Sequence, residues 1–102
     1  MKESRINSEE FVTKIAQVLR VVAHPVRLQI LAALREQDPL NVTEISEYIS
    51  LDVERSLLSH HLIKMRDNGV LQCKKEGMFV YYSIVDKKLF NILACMEACD
   101  FI

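Results

Sequence analysis

The apolar residues of this chain recur at spacings of three and four as far as residue 67, then fall into a β pattern after Asn68-Gly69. That change of period calls for consecutive helices closed by one hairpin. Residues 9 to 22 place Phe11, Ile15, Val18, Leu19 and Val22 on one stripe, with Ser8 as cap and Glu9 and Glu10 where they complement the helix dipole. His24-Pro25 breaks this helix, because proline disfavours helical backbone in the residue before it and suits the first turn of a new one. The second helix, about Pro25 to Arg35, turns Val26, Ile30, Leu31 and Leu34 inward and stops at Asp38-Pro39. A third, about Val42 to Ile49, follows Asn41, with Val42, Ile45 and Ile49 on one side and Glu44 and Glu47 outside. After Ser50-Leu51-Asp52 a fourth runs from about Val53 to Asp67, with Leu58, Leu62 and Met65 inward and Asn68-Gly69 as its stop.

Two helices on a short connection, the second ending in glycine, read as a helix-turn-helix over about residues 42–68. Val70, Leu71 and Cys73, a Lys74-Lys75-Glu76-Gly77 turn and the run Met78 to Ile84 then read as a hairpin, a wing over about residues 70–84. Asp86 caps a last helix, about Lys87 to Cys99, with Leu89, Ile92, Leu93 and Met96 apolar. The expected fold is mainly α with a small β-hairpin: a dimeric winged helix-turn-helix of about five helices.

With 102 residues, half of them apolar, the chain suits one compact domain spanning residues 1–102. Two glycines and two prolines leave no room for a flexible linker. No apolar run approaches the roughly 18 residues of a membrane span, and the N-terminus lacks the apolar core of a secretory signal, so a cytoplasmic protein without a membrane partner is expected. Cys73, Cys95 and Cys99, odd in number and without a CxxC spacing, fit reduced thiols better than a disulfide framework.

The net charge of −1 hides an uneven distribution. Residues 1–54 carry six basic and nine acidic side chains, residues 55–75 five basic and one acidic, and residues 76–102 two basic and four acidic. A basic patch on an acidic body can orient nucleic acid while the remainder suppresses indiscriminate binding. If Leu58, Leu62 and Met65 are buried, helical geometry leaves Ser56, Ser59, His60, Ile63 and Lys64 outward or at the margin. Small hydroxyls permit close approach to base edges, His60 can donate to a guanine or a phosphate, and Leu57 can touch a thymine methyl. Arg55, Lys64, Arg66, Lys74 and Lys75 would position the domain on phosphates. A solvated polar helix face is also commonplace, so this face alone decides little. For His61 a partly buried, hydrogen-bonded place weighs slightly more than base contact, and Tyr81 and Tyr82 suit strand packing far better than base stacking.

The stretch from Ser59 to Leu71, followed by Lys74-Lys75-Glu76-Gly77 and Val80-Tyr81-Tyr82-Ser83-Ile84, closely resembles the ArsR/SmtB winged-helix repressors, and His24 to Leu31 resembles the second helix of the same family. The similarity covers about residues 10–95. It implies a homodimer built mainly from the first and last helices, about 9–22 and 87–99, binding of double-stranded operator DNA by two recognition helices, and release by an effector. The apolar excess of both terminal helices, with Phe90, Phe101 and Ile102, agrees with the dimer. By the family's pattern Arg55, Ser56, Ser59 and His60 face the operator. The sequence departs from the pattern in two ways. Ser50 to Ser56 is about two residues longer than the usual turn. The family's familiar metal ligands are also missing: Asn41 and Thr43 stand where a Cys-x-Cys pair is common, and no histidine follows His61. No metal or cofactor is therefore expected, and the effector is unknown. Cys95 and Cys99, four residues apart, would share one helix face near the dimer axis and could bind a soft metal or become oxidised; as small buried hydrophobes they are the more ordinary case. The competing function is a winged-helix protein-interaction module without operator recognition. An enzyme is not expected, because the three histidines lack a nucleophile or paired acid and no glycine-rich phosphate loop is present.

Overall fold

The computed structural model describes residues 4–100. Among the described residues there are five helices, α1 (Glu9–Val22), α2 (Pro25–Glu36), α3 (Val42–Tyr48), α4 (Arg55–Asp67) and α5 (Phe90–Glu97), with strand β1 (Leu40–Asn41) between α2 and α3 and strands β2 (Leu71–Glu76) and β3 (Phe79–Ile84) between α4 and α5. Single 3-10 turns stand at Arg5–Asn7 and Lys87–Leu89. No single helix among the described residues is long and apolar enough to cross a membrane.

Local chemistry accounts for the helix starts. Ser8 accepts the amide of Phe11 through its side chain, as a cap of α1 should. His24 caps α2 in the same way, its Nδ1 accepting the Val26 amide at 3.1 Å with Pro25 in the first turn. Asn41 and Glu44 form a reciprocal capping box on α3, at 2.9 and 3.0 Å. The core lies where α2, α3 and α4 meet the sheet: Ile30, Leu31, Leu34, Leu40, Ile45, Leu58, Leu62, Met65 and Leu71 are fully buried. Burial of Leu58, Leu62 and Met65 on one side of α4 follows the spacing read from the sequence.

The sheet runs β1-β3-β2, all antiparallel, with Leu71 opposite Ile84 and Glu76 opposite Phe79. β1 has only two residues and pairs with Tyr82 and Tyr81 of β3. Asp38 extends that edge by accepting the Ile84 amide. The wing turn differs from expectation. Lys74, Lys75 and Glu76 belong to β2, and the two-residue turn is Gly77-Met78, with Gly77 at φ +61° and Met78 at negative φ. This is the pattern of a type II′ turn, in which glycine takes the first central position.

The limits of two helices are corrected as well. α4 begins at Arg55 rather than Val53, because Glu54 is extended and Val53 packs against the core. Gln29 of α2 holds the connection before it, donating to Ser50 Oγ at 2.7 Å and accepting the Leu51 amide at 3.2 Å. The last helix is not continuous over 87–99: the 3-10 turn opens it, α5 ends at Glu97, and Cys99 lies beyond its end. The bidentate Arg35–Glu97 pair, 2.7 and 3.3 Å, ties that end to α2. It holds the Glu97 carboxyl below the usual range. α1 and α5 carry apolar surface that the core does not use. Ile15 and Leu19 are 37% and 44% exposed, and no residue of α5 is fully buried. Phe101 and Ile102 lie outside the described residues.

Candidate nucleic-acid interface

The outer face of α4 is built by the same spacing that buries its inner face. Ser56, His60 and Lys64 are exposed, Ser59 is half-buried, and Leu57 is 48% exposed. The side chains of Ser56, Ser59, His60 and Lys64 make no hydrogen bond or ion pair to another described residue, so their polar atoms are available to an outside partner. Arg55 occupies the first position of α4 and donates to Thr43 Oγ1 of α3 at 3.0 Å, which links the two helices on the outer side of the turn. Glu54 gives α4 no side-chain cap, so the first amides of the helix stay open next to a guanidinium. Open amides at a helix N-terminus attract anions, and the neighbouring cation reinforces this.

The wing stands on the same side. Its tip and the α3–α4 face together line a groove of about 310 Å³, bounded by Asn41, Val42, Thr43, Arg55, Met78, Phe79 and Val80. Lys75 is exposed and unpaired among the described residues, whereas Lys74 lies 3.8 Å from Glu76. Arg66, expected on phosphates, folds back onto Asp67 at 2.9 Å, a pairing that competes with phosphate. The structure thus brings Arg55, Ser56, Leu57, Ser59, His60 and Lys64 to one helix, with Lys74 and Lys75 on the adjoining strand.

His61 points the other way. It is 5% exposed and accepts from Arg27 Nε at its Nδ1, 3.0 Å away. Its ring lies 4.4 Å from that of His24, centroid to centroid. Burial, followed by the charges of His24, Arg27 and His60, pushes the His61 imidazole below its ordinary pKa. The hydrogen-bonded reading of this residue is the one the structure realises. Arg27 and Gln29 were given no role from the sequence, and Thr43 was read only as a poor metal ligand. Their partners lie 34, 21 and 12 positions away, beyond the reach of any local pattern. Met78 was also missed. It is 94% exposed at the wing tip, a place signalled only by the glycine before it.

Cys95 is exposed on α5 and Cys99 is half-buried beyond it. A buried-hydrophobe role therefore does not describe Cys95 within a single chain. Among the described residues no three of His, Cys, Asp and Glu come together as a metal-ligand set.

A helix-turn-helix with a free polar face, an anion-attracting helix start and a basic wing beside it defines a winged-helix DNA-binding regulator. The model of the bacterial regulatory protein, arsR family, matches residues 24–72, from the α2 cap into β2. The transcriptional repressor PagR of Bacillus anthracis is 40% identical over 82 residues, 80% of either chain. Its crystal structure superposes with a TM-score of 0.74 at 35% identity, covering 87% of this chain and 99% of that one. HlyU from Vibrio cholerae superposes with a TM-score of 0.78 at 29% identity, covering 90% and 100%. The chain belongs to the ArsR family of bacterial regulatory proteins. It is a DNA-binding transcriptional regulator, not an enzyme.

Proposed function

We propose that the protein is a homodimeric repressor that reads double-stranded operator DNA with α4 and is released by an effector. Ser59 and His60 read base edges, with Ser56 and Leu57 beside them. Arg55, Lys64 and Lys75 hold phosphates, with Lys74 in a lesser part because of Glu76. The observation that carries this reading is the division of α4: Leu58, Leu62 and Met65 on its inner side are fully buried, while the side chains of Ser56, Ser59, His60 and Lys64 on its outer side have no partner among the described residues. The name of PagR, a transcriptional repressor, supports the direction of regulation. The exposed apolar faces of α1 and α5 support the dimer, since a second copy would cover Ile15 and Leu19. Cys95 and Cys99 are the effector-responsive groups in this reading; Cys95→Ser with Cys99→Ser should then abolish release by a thiol oxidant, and unchanged release would reject them.

Fluorescence anisotropy with the promoter of the protein's own operon tests the reading. Binding should weaken steeply as salt rises. Ser59→Ala or His60→Ala should reduce discrimination between operator and random DNA, by about 1–3 kcal/mol for a lost base contact. Lys75→Ala should weaken both DNAs alike. Equal losses on both DNAs for all three variants would contradict the assigned face.

A further inference from the structure

All three histidines of the chain stand within one neighbourhood: the His61 ring lies 4.4 Å from that of His24 and 6.5 Å from that of His60, centroid to centroid, and His61 alone is bonded to an arginine, Arg27. Arg27 is the centre of this arrangement. Its Nη1 donates to the carbonyl of Val21 at 2.8 Å, in the last turn of α1, where helix carbonyls lack partners of their own. Its Nε donates to His61 Nδ1 of α4 at 3.0 Å, and its own backbone belongs to α2. One side chain therefore joins three helices at the corner where α1 and α2 bend by 95°. The guanidinium is always protonated, so an imidazole nitrogen that accepts from it must carry a lone pair. His61 is accordingly neutral, with its proton on Nε2. His24 is under the same demand, because its Nδ1 accepts the Val26 amide.

We propose that Arg27 and His61 form a positioning joint for DNA recognition: the neutral, accepting form of His61 fixes α4 against the α1–α2 corner, and protonation opens the joint and lowers operator affinity. A proton on Nδ1 replaces the lone pair and faces a guanidinium that has no acceptor to offer. The charged or chargeable groups that act on His61 are His24 and Arg27 from the α1–α2 corner and His60 from α4, and no carboxylate of the described residues is among them. Nothing in the neighbourhood compensates the added charge, so Arg27 or His61 must move. Moving either one shifts α4 relative to α1. His60, one residue away on the outer face, then no longer presents itself in the same register. The inference rests on α4 as the operator reader and extends it to two residues that do not touch DNA.

His60 must be separated from His61 in the test, because protonation of an outward-facing histidine strengthens phosphate attraction as pH falls. The comparison is therefore between His60→Gln and the double variant His60→Gln with His61→Gln, in which glutamine retains an acceptor but does not titrate. Operator affinity is measured by anisotropy from pH 7.5 to 5.5 at constant ionic strength, with circular dichroism confirming the fold at each pH. His60→Gln should lose about tenfold in affinity, within the limit of tenfold per pH unit for one proton, while the double variant should stay nearly flat. Equal slopes in the two variants would overturn the proposal. A second readout needs no DNA: the His61 imidazole, followed by NMR, should titrate below the ordinary histidine value of about 6.5 and move up in Arg27→Met. Titration of His61 at or above the ordinary value, or no response to Arg27→Met, would overturn the joint. A joint that titrates as expected in a protein that binds no operator at any pH would instead overturn the recognition role of α4.

Discussion

His61 contributes to folding as well as to recognition, with a sign fixed by its surroundings. Its pKa in the folded chain is lowered, chiefly by burial, while the unfolded chain titrates near the ordinary value of about 6.5. Between these two values the unfolded state binds more protons, so stability rises with pH there and falls as acid is added. The contribution is complete above about pH 7.5, begins to fade near 6.5 and is lost once the pH is below the folded value. Thermal denaturation at pH 7.5, 6.5 and 5.5 should show a larger loss of Tm for the native sequence than for His61→Gln. Parallel losses would mean that another group sets the acid sensitivity. The sequence placed His61 beside Leu62 and gave weight to a hydrogen-bonded site. It did not supply the donor, because Arg27 lies 34 positions away and only the packing of α2 on α4 brings the two together.

At the scale of elements, legibility followed the range of the interaction that makes each element. α1 was read with its observed limits because a cap, an apolar period and a proline break all act locally. β1 has no local signature at all; two residues become a strand only because β3 pairs with them. The start of α4 was misplaced for a similar reason, since Gln29 holds the preceding connection from another helix. The wing turn was placed two residues early by its charges, whereas the strand register puts Gly77-Met78 at the bend. The α4 terminus, by contrast, was legible from Asn68-Gly69. Gly69 has φ +78°, its amide donates to the Arg66 carbonyl and the Val70 amide to that of Met65. These two bonds are the Schellman pattern, and Val70 and Met65, both buried, supply its apolar contact. A Cβ on Gly69 would meet nothing within 4 Å, so the cost of Gly69→Ala is conformational alone. It should be about 1–2 kcal/mol, seen as a Tm drop of roughly 5–10 °C, and Gly69→Asn should lose less. An unchanged Tm in Gly69→Ala would show that the end of α4 is free to relax.

For the whole molecule, the question is how a chain of net charge −1 holds a polyanion. The cations of the proposed interface, Arg55, Lys64 and Lys75, are gathered on α4 and β2, while acidic residues predominate elsewhere. Three phosphate contacts in one copy would bind weakly at physiological salt, and two copies on one operator double the counterions released. With about six phosphates neutralised, log K against log salt should have a slope near −5. Leu19→Glu provides the control. Leu19 is 44% exposed on α1 within one chain, so a charge there leaves the core undisturbed but opposes burial against a second copy. The variant should keep its circular dichroism spectrum, sediment as a monomer, and show a slope near half the native value together with much weaker operator binding. If it remains dimeric, α1 is not the contact. If it becomes monomeric and keeps the full slope and affinity, the phosphate contacts of one copy suffice, and the dimer is not what lets a near-neutral chain grip DNA.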